Sequence, residues 1–445
     1  MSAERTRGGA PRGGGGCADV AGEAGTLELL ARRLARAGNR DWEPQRRSAL
    51  VGPAGMTTLG RPRPYLRTGA VVASAAVAYY LLAVRRRPVL RYGKTQLNER
   101  VLQRLTHILH TPYAPPVWAF HPWVQMIVVM RRMRRAAKDT PFARTVLTAP
   151  DGGSIALDIL EDEALPPTAP VLVILPTITG LSRDHVELAR SACSRGWRAV
   201  VCVRRGHLGT ALTAPRVNLL GCTDDLRLQI DALTARFPGA PLLGVGLSAG
   251  TGLLVRYLGE EAERSRITAA AVLCPGYNTA PASASAPGKG NAFERFAGPA
   301  DKQITASVKR FFLRHDILRS LPSYDALQAA PSIAAYQAAA YALGGYRDAE
   351  EMYKRTNPMA VADAIRTPLL IVNAKDDPVC VWANVEENLH LLDGPHDRIL
   401  VATSHGSHCA HLEGPLFPAK LGWHERLALD YFGAVLAHKQ DAPAI

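Results

Sequence analysis

From residue 142 onward the apolar residues fall in short runs, separated by turn residues and by stretches of helical spacing. The runs SIALDIL (154 to 160), PVLVILP (170 to 176), RAVVCVRRG (198 to 206), PLLGVGLS (241 to 248), ITAAAVLCP (267 to 275), PLLIVNAKDD (368 to 377) and RILVATSH (398 to 405) have the length and β-branched content of strands. The later ones are continuously apolar, as strands covered on both faces are. Helix-compatible segments intervene, among them DHVELARSACSRG, TDDLRLQIDALTARFP and WHERLALDYFGAVLAHK. This alternation predicts an α/β fold: a mostly parallel, doubly wound sheet with helices on both faces, over residues 139–440. About 90 residues, Ala-rich and helical, separate Pro275 from Thr367. That interval is too long for a simple connection, and it predicts a helical lid insertion over 278–360.

Ahead of this domain the pattern changes. Thr68 to Val84 is an uncharged, mostly apolar run, closed by Arg67 on one side and by Arg85, Arg86 and Arg87 on the other. Its length is at the short limit for a spanning helix, and with its flanks (66–87) it reads as a single transmembrane anchor. A core helix would show a polar face, and a signal h-region would follow a compact basic n-region; the run has neither. Residues 94–138 include PYAPPVWAFHPWVQMIVVMRRMRR, an amphipathic, aromatic connector suited to lying against lipid or capping the fold. Residues 1–55 are Gly-, Ala- and Arg-rich and read as a disordered basic extension, with Met56 as a second candidate start. The acids Glu4, Asp19, Glu23, Glu28, Asp41 and Glu43 argue against a transit peptide.

Charge sharpens this picture. The 445 residues carry a net +14, yet residues 1–138 alone hold 24 Lys+Arg and 7 Asp+Glu, so the remainder is mildly acidic. Because the cations flank an apolar span and form no recognisable nucleic-acid module, the expected partner is a membrane surface and not nucleic acid. Arg61, Arg63 and Arg67 precede the span, whereas Arg85, Arg86, Arg87, Arg91, Lys94, Arg100 and Arg104 follow it. This imbalance predicts a single-pass protein with its C-terminal domain in the cytosol, the endoplasmic reticulum being one candidate membrane. The seven cysteines are scattered without a C-x-x-C pair, which points to a reducing compartment and to no disulfide framework or zinc ribbon.

The candidate chemistry begins at Gly246-Leu247-Ser248-Ala249-Gly250, at the end of one strand run and the start of a helical one. A G-x-S-x-G there is a nucleophile elbow, a strained turn that lifts the serine hydroxyl above the sheet edge. A serine needs a base, and the base a partner that fixes its tautomer. In α/β hydrolases these follow in the order Ser, acid, His. Asp376 and Asp377 end the next well-formed strand, and HGSHCAH (405 to 411) follows the last. Gly406-Ser407 reads as a turn, so the three histidines do not share a helical face as a metal site would require. His408, in a small-residue loop beyond the strand, is the better base than His405. Two backbone N–H groups are expected to form the oxyanion hole, that of Ala249 and that of Ile178 in the loop after PVLVILP. No cofactor and no metal are required.

These residues together resemble the AB hydrolase superfamily, in particular the AB hydrolase 4 family of membrane-anchored lipases and esterases. The resemblance runs from about residue 95 to 440 and rests on Leu175-Pro176-Thr177-Ile178-Thr179-Gly180, Arg205-Gly206, Leu212-Thr213-Ala214-Pro215-Arg216, Thr223-Asp224-Asp225-Leu226, Asn373-Ala374-Lys375-Asp376-Asp377-Pro378, Ser404-His405-Gly406-Ser407-His408 and Leu412-Glu413-Gly414, besides the elbow. It implies Ser248 as nucleophile, His408 as base and Asp377 as orienting acid, with Asp376 as the fallback, and hydrolysis of acylglycerols, phospholipids or short-chain esters. Thr177 stands where that pattern has Gly, Thr251 replaces the second Gly after the elbow, and Ser407 replaces a Gly before the base. A need for positive φ at Thr177 would strain the oxyanion loop, and this is the only support for a non-catalytic lipid-binding or scaffold protein. An acyltransferase using the same triad is the third reading, and no H-x-x-x-x-D near the pocket segments favours it.

Overall fold

The computed structural model describes residues 64–136, 140–161, 164–207, 209–220, 222–281, 292–296 and 298–441. The basic extension 1–55 and Met56 lie outside them. Segments with no polar face must be covered on both sides. They fill the centre of a nine-stranded sheet in the order β1-β9-β8-β7-β6-β4-β5-β3-β2. The strands are β1 (Val89–Tyr92), β2 (Ala143–Thr148), β3 (Ser154–Leu160), β4 (Val171–Leu175), β5 (Arg198–Val203), β6 (Leu242–Leu247), β7 (Ile267–Leu273), β8 (Leu369–Ala374) and β9 (Arg398–Thr403). Strands β4 to β9 are parallel. The flanking β1, β2 and β3 pair antiparallel. All seven apolar runs become strands, shortened where polar residues leave the sheet.

Alternate side chains feed two cores. Leu172 and Ile174 of β4 face a cluster closed by Val101, Leu188 and Leu427 of the helices Gln96–Arg104, Val186–Cys193 and Trp423–Asp441. Val171, Val173 and Leu175 face Ile230 and Leu254 of the helices Asp224–Arg236 and Ala249–Glu261. Strand β4 pairs with both β5 and β6, so the order in which strands are added reverses there and opens a crevice at the carboxyl ends of β4 and β6. The buried Arg205 bonds Asp225 through Nε (2.8 Å) and a terminal nitrogen (2.7 Å), and also reaches Asp151. Removing one partner of such a pair costs about 3–5 kcal/mol, a physical reason for an R-G turn and an acidic helix start to occur together.

The N-terminal segments depart from expectation. Among the described residues no helix is long and apolar enough to cross a membrane. The α-helix Pro64–Tyr79 has 16 residues, about 24 Å at the α-helical rise against a hydrocarbon core of about 30 Å. It passes into a π turn, Tyr80–Val84, because Arg86 then bridges Tyr113 and Val89–Tyr92 joins the sheet beside β9. The connector is part of the fold: Val101, Leu105, Ile108, Leu109 and Tyr113 are all buried in the first core. The long interval between β7 and β8 is helical as expected, with its own core around Phe312, Leu318, Ile333, Tyr336 and Leu343.

Candidate active site

Strand β6 ends at Leu247 and the next helix begins at Ala249, so Ser248 alone reverses the chain. Its backbone takes φ 51° and ψ −116°, a conformation that costs about 1–3 kcal/mol and points the side chain out of the sheet. The Ser248 N–H donates to Leu273 O of β7 at 3.0 Å, which anchors the turn. Gly250 is required by proximity, since a Cβ there would lie 2.1 Å from Leu175 O. The first turn of the helix, with its unbonded N–H groups, is thereby held against the end of β4. Thr251 fits without disturbing this turn, its hydroxyl donating to Ser248 O.

His408 reaches Ser248 from across the sheet edge. Its Nε2 lies 2.8 Å from Ser248 Oγ and its Nδ1 2.9 Å from Asp377 Oδ2. The other carboxylate oxygen of Asp377 accepts the N–H groups of Val379 (2.8 Å) and Cys380 (2.9 Å), so the buried carboxylate is fixed from both ends. Asp376 has no hydrogen bond to His408; it accepts Ser407 N–H at 2.8 Å and lies 3.3 Å from His405 Nδ1, clamping the loop that carries His408. The loop is tight. Ser407, Cys409 and His411 have φ of 55°, 51° and 35°, and a Cβ on Gly406 would sit 2.5 Å from the His411 ring. Burial disfavours a charged His408, but the Asp377 carboxylate outweighs it and the imidazole is held well above its ordinary pKa.

The other histidines have structural partners. His411 is buried, 3.1 Å from Thr403 Oγ1 and stacked on His424 at 4.7 Å. Burial keeps both rings neutral, lowering His411 well below the ordinary value and His424 to about 3. Among the described residues the sets able to grip a metal are Cys274, His408 and Cys409, or Asp377, Cys380 and His408. His405 and His411 belong to neither, so the three histidines do not converge on an ion.

The loop after β4 carries the expected donor Ile178. Thr177 is not among the residues with positive φ, so the strain that a β-branched residue would suffer there does not arise. Sequence reasoning passes over the residue that shapes this loop, Arg204, whose only signal is its place beside Arg205-Gly206. It is buried and donates to Thr177 O (2.7 Å), to Pro176 O and to Leu219 O (3.0 Å). Burial lowers its pKa to about 10, which still leaves it charged at neutral pH. In a trans peptide the carbonyl and the following N–H point in opposite directions, so fixing Thr177 O directs the Ile178 N–H away from the guanidinium. Arg204→Met is expected to lower kcat about 10- to 100-fold with little change in KM, because a misplaced donor weakens only the transition state. A loss confined to KM, read from steady-state kinetics, would remove Arg204 from this role.

Two cavities meet at Ser248. One, about 100 Å³, is walled by apolar side chains including Val255, Val272, Phe293, Phe296 and Met359, with Ile178 and Ala249 beside Ser248. The other, about 590 Å³, runs past His408 to a rim that includes Met130, Arg132, Arg183, Glu187 and Lys420. Among the described residues the buried Arg183 Nε there has no hydrogen-bond partner.

The family described as Serine aminopeptidase, S33 matches residues 169–414. A mouse protein named Phospholipase ABHD3 is 27% identical over 371 residues, covering 82% of this chain and 88% of its own length. A zebrafish protein named Monoacylglycerol lipase ABHD2 is 24% identical over 371 residues, covering 78% of this chain and 86% of its own. A protein from Picea glauca named Embryogenesis-associated protein EMB8 is 27% identical over 331 residues, covering 67% and 68%.

Proposed function

Because the chain belongs to the Serine aminopeptidase, S33 family, within the α/β-hydrolase superfamily, we propose that it is a serine hydrolase cleaving carboxylic esters of lipids. The observation that carries this reading is the relay Asp377, His408, Ser248, with contacts of 2.9 and 2.8 Å, opening on two cavities of different character. Ser248 Oγ attacks the ester carbonyl as His408 Nε2 takes its proton. Asp377 stabilises the imidazolium, and the N–H groups of Ile178 and Ala249 hold the oxyanion, each donor supplying roughly 3–4 kcal/mol. Collapse returns the proton to the departing alcohol and leaves an acyl group on Ser248. Water then attacks the acyl-enzyme with His408 again as base, releasing the acid; no cofactor takes part.

The narrow apolar cavity suits an acyl chain and the wide one the rest of the lipid. Arg183 lines the wide cavity and favours a phospholipid over a neutral glyceride, since a guanidinium there can donate to a phosphate oxygen. The names of the mouse and zebrafish relatives support both classes. Arg183→Leu is expected to lower kcat/KM for phosphatidylcholine about tenfold and to leave monoacylglycerol turnover within about twofold, the loss of one charge-assisted hydrogen bond. Equal losses on both substrates would assign Arg183 a structural role instead. The helix Pro64–Tyr79 exposes Val71, Val72 and Val77 and is the proposed membrane attachment, with the hydrolase domain on the cytosolic side.

Fatty acid released from phosphatidylcholine and from monoacylglycerol by the full chain, beside Ser248→Ala, tests the reading. Release by wild type alone supports it. No release from either lipid or from a short-chain ester sinks it.

A further inference from the structure

Outside the site, exposed large apolar side chains are concentrated in three stretches of the chain. Among the described residues all but Val146 and Ile317 fall within residues 71–89, 117–127 and 416–417. Phe417 is 90% exposed, Leu416 57%, Trp118 51% and Val117 44%. These four are not loose loop tips. Gly414 N–H donates to Ala114 O (3.2 Å), Val117 N–H to Pro415 O (3.1 Å) and Trp118 Nε1–H to Leu416 O (2.6 Å), so two loops distant in sequence form one laced ridge. Tyr80 Oη bonds Pro115 O at 2.6 Å and the Tyr79 and Phe120 rings lie 5.9 Å apart, which joins the ridge to the end of the N-terminal helix. Arg132 fixes the other side by donating to Pro418 O and Ala419 O, both at 2.8 Å.

Holding bare aromatic rings rigidly in water gains nothing, while placing them at a bilayer interface removes their apolar surface from water. The surrounding charge matches that occupant. Arg85, Arg86, Arg87, Arg131, Arg134 and Arg135 are exposed on the adjoining segments, and no acidic residue occurs between Glu99 and Asp139. The larger cavity is lined by Met130 and Arg132 of the helix Pro122–Arg135 and by Leu412 and Lys420, which flank the 414–418 half of the ridge, with His408 within.

We propose that the laced ridge of residues 114–118 and 414–418 is a second membrane contact, distinct from the N-terminal helix. It inserts Trp118, Leu416 and Phe417 into the interface of an anionic bilayer and sets the mouth of the His408 cavity on the lipid surface. A lipid ester then enters the cavity from the leaflet without crossing water, which rests on the lipid-hydrolase reading above. Trp118 takes the position that amphipathic rings prefer, its ring among head groups and its indole N–H bonded within the protein. The flanking arginines add attraction that depends on anionic lipid and weakens with salt.

The test uses the full chain with vesicles of phosphatidylcholine and phosphatidylserine containing brominated phosphatidylcholine. The Trp118 signal is isolated as the fluorescence difference between wild type and Trp118→Phe. Quenching of that signal is expected, and it should fall in Phe417→Asp. The same variant should hydrolyse vesicle phospholipid about tenfold or more slowly, the worth of one buried aromatic side chain, while a water-soluble short-chain ester is turned over at the wild-type rate. An unquenched Trp118, or unchanged vesicle turnover in Phe417→Asp, overturns the proposal and leaves the ridge to a protein partner. Should wild type hydrolyse no ester at all, the hydrolase reading fails, yet quenching of Trp118 still decides the membrane contact.

Discussion

Ser248→Ala, and separately His408→Ala, are expected to lower kcat by about 10⁶-fold, with the double variant no slower than either single one. In the proposed relay the nucleophile and the base act as one unit. The 2.8 Å contact between His408 Nε2 and Ser248 Oγ transfers a proton only when both atoms are present, so losing the second after the first has no further effect. Residual turnover would come from the cavities and from the Ile178 and Ala249 N–H groups, which neither substitution touches. Ser248→Ala is also expected to stabilise the fold slightly or leave it unchanged, as the serine's backbone strain persists while no hydrogen bond that the fold depends on is lost. Additive losses in the double variant, measured by steady-state turnover of one ester, would mean that the two residues act independently and that the relay is not the engine of the reaction.

Asp377→Asn is expected to cost about 10⁴-fold in kcat, because an amide at that position favours the wrong tautomer of the base. Asp376→Asn is expected to cost far less, since Asp376 bonds Ser407 N–H and His405 and never His408. The pH profile separates the two further. Catalysis needs the neutral imidazole, and although burial alone would depress the His408 pKa, the charge of Asp377 lifts it well above 6.5. Activity should therefore rise with pH along a limb centred above His408's ordinary value. In Asp377→Asn the limb should move to lower pH, since burial stays and the charge is gone; in Asp376→Asn it should stay in place. A limb that shifts with Asp376 and not with Asp377 would exchange their roles.

The parts legible in the sequence are those set by local pattern. Seven short apolar runs, the later ones continuous, mark seven strands of the sheet, and the turn residues around Ser248 and before His408 mark strand ends. Less legible are features created by distant contacts. β1 and β2 are edge strands with alternating exposure, so VLRY and ARTVLT lack a strong apolar run. The span 66–87 reads as a membrane helix on hydropathy alone, but the helix is cut short by a bridge between Arg86 and Tyr113 and by β1 pairing with β9. Arg204 escapes notice, and Asp376 is noticed only as a fallback acid, because their work is to hold backbone of loops far along the chain. The choice between Asp376 and Asp377 likewise follows from which carboxylate the turn at Pro378 buries, a matter of one residue's rotation.

Activation of Ser248 is tested by a fluorophosphonate probe on the full chain in detergent, with the adduct located by mass spectrometry. A phosphonyl adduct on Ser248 in wild type, absent from Ser248→Ala and His408→Ala, is the predicted result. A folded wild-type chain that stays unlabelled, or equal labelling of Ser248→Ala, would contradict the account.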